Sequence, residues 1–242
     1  AVLESFAVAI ETIDMTKHHG QHPRMGAVDV VPFIPCRGTT LEEADTAAKQ
    51  VAQQVGADFG IPVFLYESSA SASHRRNLAA IRKGQFEGME EKLLDTSLWT
   101  PDYGPSHIHP TAGVTAIGAR MPLVAFNINL NTSDTAIASA IAKRVRHISG
   151  GYHYIKAIGV DLSDKNKAQV SMNLTDFHKT SIYQAFEAVK MEARRYGVSV
   201  VESEIVGLLP LEALTDCAEY YLQLSDGFDP YAQIMENRLL EE

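Results

Sequence analysis

The sequence predicts an α+β protein of two units, each with helices packed on a mostly antiparallel sheet. In the second half, apolar patterns alternate between strand and helix periods in the order β-α-β-β-α-β. The first half follows a related order without an opening strand. A chain of 242 residues with 45% hydrophobic content can bury such cores. We therefore predict two ferredoxin-like sandwiches: residues 1–118, which lack their N-terminal portion, and residues 119–242.

The first unit opens with a helix over residues 2–13 and a buried strand over residues 28–35. A capping-box pattern at Thr40 and Glu43 starts the next helix, which Gly60 ends. A short strand over residues 61–66 follows.

A basic segment and a loop complete this unit. The segment is predicted to be a helix that carries His74, Arg75, Arg76, Arg82 and Lys83. Such scattered charges ordinarily lie on a solvent-exposed helix face, which is the interpretation that we favour. Residues 99–113 are rich in proline and glycine and predict the crossover between the halves.

The second unit has the clearer pattern. Residues 121–130 predict a strand, and a helix from Thr132 stops at Gly150. Residues 154–160 and 168–174 predict a hairpin. A helix from Thr180 and a strand over residues 198–206 complete the unit.

The densest chemistry lies between the first helix and the first strand, in Lys17-His18-His19-Gly20-Gln21-His22-Pro23-Arg24-Met25-Gly26. Pro23 disfavours helical geometry at His22, so this stretch is predicted to be a loop. The adjoining buried strand would hold it on a rigid element.

Two other interpretations of this loop stay open. His18, His19 and His22 could hold zinc if they lay on a helix, although Gly20 and Pro23 interrupt one. The loop could also be a solvated polar turn without a chemical role.

At these residues the chain resembles the glutamate formimidoyltransferase family, which includes the transferase half of formimidoyltransferase-cyclodeaminase. The resemblance runs in order through residues 13–15, 18–30, 32–35, 99–106, 118–120, 125–130, 168–174 and 206–211. It implies transfer of a formimino group from N-formimino-L-glutamate to N5 of tetrahydrofolate, as part of histidine degradation. Tetrahydrofolate would be a co-substrate, and no metal would take part.

The resemblance also implies site residues. His22 would be the catalytic acid/base, a role that suits imidazole because its pKa lies near neutral. The folate site would fall on Gly104, Pro105, Ser106, His107, Ile108, His109, Pro110, Thr111, Ala112 and Gly113. Aromatic residues that the family carries in this stretch are replaced here, which argues against pterin stacking.

The family carries an upstream Asn-Phe-Ser-Glu-Gly-like motif and an aspartate that pairs with the catalytic histidine, and Ala1 lies after both positions. We therefore expect this chain alone to lack the acidic partner of His22 and to be a defective enzyme. The sheet edge left open would favour association, such as a homodimer.

Four further residues are candidates for substrate binding. Arg24 and Arg120 suit carboxylates, and structural ion pairs are the alternative. Asn127 and Asn129, with Gln169 and Asn173, interrupt apolar strands. Because buried amides need partners, these amides either bind polar ligand edges or join the sheets.

Composition restricts the partners. The formal net charge of −9 argues against nucleic acid, and no apolar stretch is long enough to span a membrane. Cys36 and Cys217 have no metal or redox spacing, so they are predicted to be mostly buried free thiols in the cytoplasm. Three possibilities remain open. The protein could act with a cyclodeaminase partner, it could use 5-formyltetrahydrofolate as the donor and glutamate as the acceptor, or it could be a non-catalytic folate-binding module.

Overall fold

The computed structural model describes residues 1–19, 23–36 and 38–239. They form two compact units, Ala1–Met121 and Pro122–Glu242, and each unit contains one sheet. The fold is therefore mixed α+β with two sheets. Within the described ranges, no helix is both long and apolar enough to cross a membrane.

Unit 1 contains four helices and three strands among its described residues. In chain order they are α1 (Val2–Thr12), β1 (Val30–Phe33), α2 (Leu41–Phe59), β2 (Val63–Leu65), α3 (Leu78–Arg82), α4 (Met89–Leu94) and β3 (Thr115–Ala119). The predicted capping box is present at the start of α2, where Glu43 N donates to Thr40 Oγ1 and Thr40 N donates to the Glu43 carboxylate. Gly60 adopts the left-handed conformation that ends this helix.

The sheet of unit 1 is parallel, with strand order β1-β3-β2. The prediction of a mostly antiparallel sheet is wrong for these three strands. The reason is connectivity, because helix α2 crosses between β1 and β2, and a crossover of this kind joins strands that run in the same direction.

Each face of this sheet carries its own core. Helices α1 and α2 cover one face with Phe6, Ala52 and Val55, all fully buried. On the other face, α3 and α4 contribute Ile81 and Met89, which join a second cluster that also includes Met25, Phe64 and Tyr66. Both faces of the parallel sheet are thus buried.

Unit 2 follows the predicted order of strands and helices. Its elements are β4 (Val124–Leu130), α5 (Thr135–Val145), β5 (Ile155–Leu162), β6 (Lys167–Leu174), α6 (Ile182–Arg195) and β7 (Val200–Val206). The strand order is β5-β6-β4-β7, and all neighbouring strands are antiparallel. Apolar residues of β4, β6, α5 and α6 form one core on a single face of this sheet.

Three helices follow that the sequence patterns do not predict: α7 (Leu211–Leu222), α8 (Pro230–Gln233) and α9 (Met235–Leu239). Helix α7 contributes Ala213 to the core of unit 2 and carries Cys217, which is half-buried. Cys36 follows β1 and is exposed, so the prediction that both thiols are mostly buried is wrong for Cys36.

Candidate active site

Two segments that the sequence assigns to the site lie side by side in unit 1. Gly26, after the His-Pro-Arg loop, forms a β-bridge with Gly113, at the end of the predicted folate segment. Next to the bridge, Val114 N donates to the Met25 carbonyl at 3.1 Å. A Cβ atom on Gly26 would lie 2.0 Å from the carbonyl oxygen of Val114, so only glycine permits this approach.

The predicted catalytic residue, His22, lies outside the described residues, together with Gly20 and Gln21. The chain is described up to His19 and again from Pro23. The role of His22 therefore stays a prediction.

Arg24 is held by the segment that joins α3 to α4. Its guanidinium donates to both carboxylate oxygens of Glu87, at 2.6 and 2.9 Å, and to Gln85 Oε1 at 3.3 Å. It also donates to the carbonyl of His18 at 3.0 Å. The paired guanidinium holds the pKa of Glu87 at about 2, below its usual 4.5. Arg24 thus connects His18, which precedes the predicted catalytic residue, to Glu87, which lies 63 residues after Arg24.

The joining segment is itself strained. Gln85 has φ 56° and ψ −163°, a conformation that glycine adopts far more readily than glutamine. Its backbone is tied down, because Gln85 N donates to the Arg82 carbonyl and Phe86 N donates to the Arg24 carbonyl, both at 2.9 Å. Backbone strain of this kind concentrates at functional sites.

A second carboxylate fixes the turn after Arg24. Asp29 Oδ1 accepts from Met25 N at 2.8 Å, and its Oδ2 accepts from Arg82 Nη2 at 2.5 Å. The segment after Pro23 is therefore held by Glu87 through a side chain and by Asp29 through the backbone.

The basic segment is not one helix with a solvated face. A 3-10 turn at Ser73–Arg75 precedes α3, and Arg75 is buried, its side chain only 8% exposed. Its guanidinium donates to Asp102 Oδ2 at 3.0 Å and to the carbonyls of Leu98 and Thr100. The solvated interpretation is wrong for Arg75, and also for Arg82, which pairs with Asp29.

The predicted folate segment is an ordered loop with a buried end. Its Ala112 and Gly113 are buried, whereas Ser106, His107 and Pro110 are exposed. His109 Nδ1 accepts from the backbone N–H groups of Thr111 and Ala112, at 3.3 and 2.9 Å, so its proton lies on Nε2. Burial lowers the pKa of His109, which favours the neutral form of the ring.

Arg120 differs from Arg24 in its partners. It follows β3 directly, and Nη1 donates to the carbonyl of Met121 at 3.0 Å. Within the described residues, no carboxylate forms an ion pair with it. Each candidate arginine was expected either to bind a substrate carboxylate or to form a structural ion pair. Arg24 forms such an ion pair, with Glu87.

In unit 2 the candidate amides join neighbouring strands. Gln169 Nε2 donates to Asn129 Oδ1, and Asn129 Nδ2 donates to Glu202, both at 2.9 Å. Asn127 donates to Glu204 at 3.1 Å. These contacts link β6, β4 and β7 within one sheet, and both Asn129 and Gln169 are buried.

Several groups of the site were not predicted from sequence: Asp29, Gln85, Glu87 and Tyr66. The spacing of Gly84 and Gly88 indicates a turn around Gln85 and Glu87, but nothing local indicates that Arg24 is their partner. Across the described ranges, no three His, Cys, Asp or Glu residues are placed to hold a metal ion.

Comparisons with known proteins cover nearly the whole chain. The family model of the formiminotransferase domain, N-terminal subdomain, matches residues 1–120, and that of the formiminotransferase domain matches residues 125–238. The chain is 59% identical to a glutamate formimidoyltransferase of Streptococcus pyogenes over 240 residues, 99% of this chain and 80% of that protein.

Two other relatives support the same grouping. A glutamate formimidoyltransferase of Thermoplasma acidophilum is 46% identical over 99% of this chain and 78% of its own length. A formimidoyltransferase-cyclodeaminase of Dictyostelium discoideum is 43% identical over 91% of this chain but only 42% of its own length. With both family models matched and such relatives along nearly its full length, the chain belongs to the formiminotransferase family.

Proposed function

We propose that this protein is a glutamate formimidoyltransferase that moves the formimino group of N-formimino-L-glutamate to N5 of tetrahydrofolate. The observation that carries the proposal is the 59% identity, over 99% of the chain, to a protein named for that activity. The reaction would serve histidine degradation.

The chemistry needs one group that both accepts and returns a proton. N5 of tetrahydrofolate attacks the formimino carbon and loses its proton as the new C–N bond forms. The C–N bond to glutamate then breaks, and the departing nitrogen gains a proton. We assign both transfers to the imidazole of His22, because a pKa near 6.5 allows it to act in both directions near neutral pH.

For folate we propose the segment from Gly104 to Gly113. Its support is position, since the Gly26–Gly113 bridge brings one end of the segment against the chain that leaves the His-Pro-Arg loop. The exposed Ser106 and His107 offer polar groups, while the buried end anchors the segment.

For the substrate carboxylates we propose Arg120 rather than Arg24. Arg24 acts as a positioning residue, because Glu87 already occupies its guanidinium. Of the two candidate amides we propose Asn127 for polar substrate edges, because it lies half-buried on the sheet face of unit 2 opposite the core. The carboxamide of Asn129 is buried and engaged at both ends by Gln169 and Glu202.

We further propose that unit 2 is ferredoxin-like. The support is its β-α-β-β-α-β order and strand order β5-β6-β4-β7. We also propose that the protein is a cytoplasmic homodimer that acts with a cyclodeaminase partner or fusion. The Dictyostelium relative combines formimidoyltransferase and cyclodeaminase in its name.

The test is a transfer assay on the full-length protein, with tetrahydrofolate and N-formimino-L-glutamate as substrates. Acidification converts the product to a methenyl folate, which is measured by absorbance. We expect turnover with this donor and its loss in His22→Gln, while a chelator leaves turnover unchanged. Turnover only with 5-formyltetrahydrofolate and glutamate would contradict the proposed donor, and folate binding without turnover would contradict the proposed enzyme.

A further inference from the structure

Two polar side chains stand at the carboxyl ends of adjacent parallel strands in unit 1. Tyr66 follows β2 directly, and its N–H donates to the Ile117 carbonyl of β3 at 3.3 Å. Arg120 follows β3, and its N–H donates to the Phe33 carbonyl of β1 at 3.0 Å. In open parallel sheets, this is the edge at which ligands bind.

The hydroxyl of Tyr66 is buried. The residue is 2% exposed, and within the described chain its oxygen has no partner of good hydrogen-bond geometry, although the Arg120 guanidinium lies beside it. The ring is closely packed on β3, because a Cβ atom on Gly118 would lie 2.9 Å from Tyr66 Cδ1 and 2.3 Å from its carbonyl oxygen. An unpaired buried hydroxyl destabilises a fold, so its presence calls for an explanation beyond packing.

The charge around this hydroxyl is mostly positive. Burial raises the pKa of Tyr66, and Arg120 and Arg82 oppose that rise, with Glu67 as the acidic neighbour. Arg82 is engaged by Asp29, whereas Arg120 donates to the carbonyl of Met121 and its guanidinium lies beside the Tyr66 hydroxyl. A guanidinium has five N–H donors, more than the contacts with Met121 and Tyr66 occupy, so Arg120 has donors left for a ligand.

We propose that the Tyr66 hydroxyl and the Arg120 guanidinium together bind a carboxylate of the glutamate type. A carboxylate is acceptor-only when ionised and would satisfy both donors at once. The inference rests on the proposed function in that glutamate supplies the carboxylate. It adds Tyr66 as a specificity-determining residue and explains how a chain of net charge −9 attracts an anionic substrate to a local site.

The carboxylate could belong to the amino acid substrate or to the glutamate tail of folate. Separate KM values for N-formimino-L-glutamate and for tetrahydrofolate distinguish these sources. A rise in the first KM alone assigns the site to the amino acid, and a rise in the second alone assigns it to the tail.

The decisive variant is Tyr66→Phe, which keeps the ring and removes only the hydroxyl. We expect the KM for one of the two substrates to rise about tenfold or more, because the variant loses one hydrogen bond to a charged group. We expect kcat to change less and the Tm to stay equal or rise, since the unpaired hydroxyl is gone. Tyr154→Phe, at a half-buried tyrosine of unit 2, is the matched control.

The pairing with Arg120 is tested by Arg120→Met and the double variant. If both side chains bind one carboxylate, the double variant raises KM by clearly less than the product of the two single effects. Unchanged KM values in Tyr66→Phe, a lowered Tm in that variant, or multiplicative effects would each overturn the inference.

Calorimetric binding of L-glutamate alone separates this inference from the proposed function. If the wild-type protein shows no transfer but binds glutamate, and Tyr66→Phe weakens that binding, the inference stands and the function fails. If transfer occurs while Tyr66→Phe leaves both KM values and glutamate binding unchanged, the function stands and the inference fails.

Discussion

The ion pair between Arg24 and Glu87 gives the most direct test of how the proposed catalytic loop is held. Glu87→Gln keeps the shape of the side chain and removes its charge. Arg24 would keep weaker contacts with Gln85 and with the carbonyl of His18, at 3.3 and 3.0 Å. We therefore expect the segment that begins at Pro23 to become less rigid rather than unfolded.

The size of the effect follows from the pKa and the exposure. Glu87 has a pKa of about 2 instead of 4.5, and at about 1.4 kcal/mol per pH unit this would correspond to about 3 kcal/mol in a buried pair. Its side chain is 60% exposed, so water screens the pair, and we expect about 1 kcal/mol. In a chain of this size that is a fall in Tm of about 2–4 °C.

The pH dependence has a defined sign. A carboxylate whose pKa is lowered by folding stabilises the folded state above its unfolded pKa, and the contribution is lost as the pH falls through the folded pKa. The Tm difference between wild type and Glu87→Gln should therefore be full at pH 7 and should shrink as the pH falls from 4.5 towards 2.

The assay combines thermal unfolding with steady-state kinetics, and Glu90→Gln, on the exposed first turn of α4, is the control. We expect Glu87→Gln to lower kcat by about tenfold, with both KM values nearly unchanged, because a displaced catalytic group slows chemistry more than binding. A Tm and a kcat equal to those of Glu90→Gln would refute the idea that this ion pair holds the loop.

Three other predictions concern the same unit. Turnover should be lost in His22→Gln but fall less than tenfold in His18→Gln and His19→Gln, a difference that steady-state rates with both substrates will show. Arg75→Lys should lower the free energy of unfolding by about 3 kcal/mol in denaturant titrations, since lysine lacks the fork that reaches Asp102 and two carbonyls. Burial lowers the pKa of Lys92 from 10.5 to about 8, so between pH 8 and 10.5 the folded state binds fewer protons than the unfolded state. The stability of the fold should therefore rise with pH in this range, and Lys92→Met should remove the corresponding rise in Tm.

The sequence predicted unit 2 well because its contacts are regular. The helices α5 and α6 each bury one face on one sheet, and the hairpin of β5 and β6 is local in sequence, so periodicity and turns were sufficient. In unit 1 the patterns predicted β1 and β2 but not the central strand β3, and the direction of the strands depends on how the connections cross. No pattern in β1 or β2 alone encodes that direction.

The charged residues of unit 1 show a second limit. Arg75 and Arg82 looked like members of a solvated stripe because their neighbours are basic. Their carboxylate partners, Asp102 and Asp29, lie 27 and 53 residues away, and a local pattern gives no information on such pairs. A buried arginine and an exposed one have the same surroundings in the sequence.

The two candidate arginines also differ in their partners, and this difference bears on function. In the sequence, Arg24 and Arg120 were equivalent, each a candidate for a carboxylate or for an ion pair. The structure gives Arg24 the carboxylate of Glu87 from within the chain, whereas Arg120 stands beside the unpaired Tyr66 hydroxyl at a strand end. An arginine that already has its carboxylate supports the loop, and an arginine without one in the described chain is the better candidate for the carboxylate of a substrate. Substrate binding in unit 1 should therefore depend on Arg120, and loop geometry on Arg24.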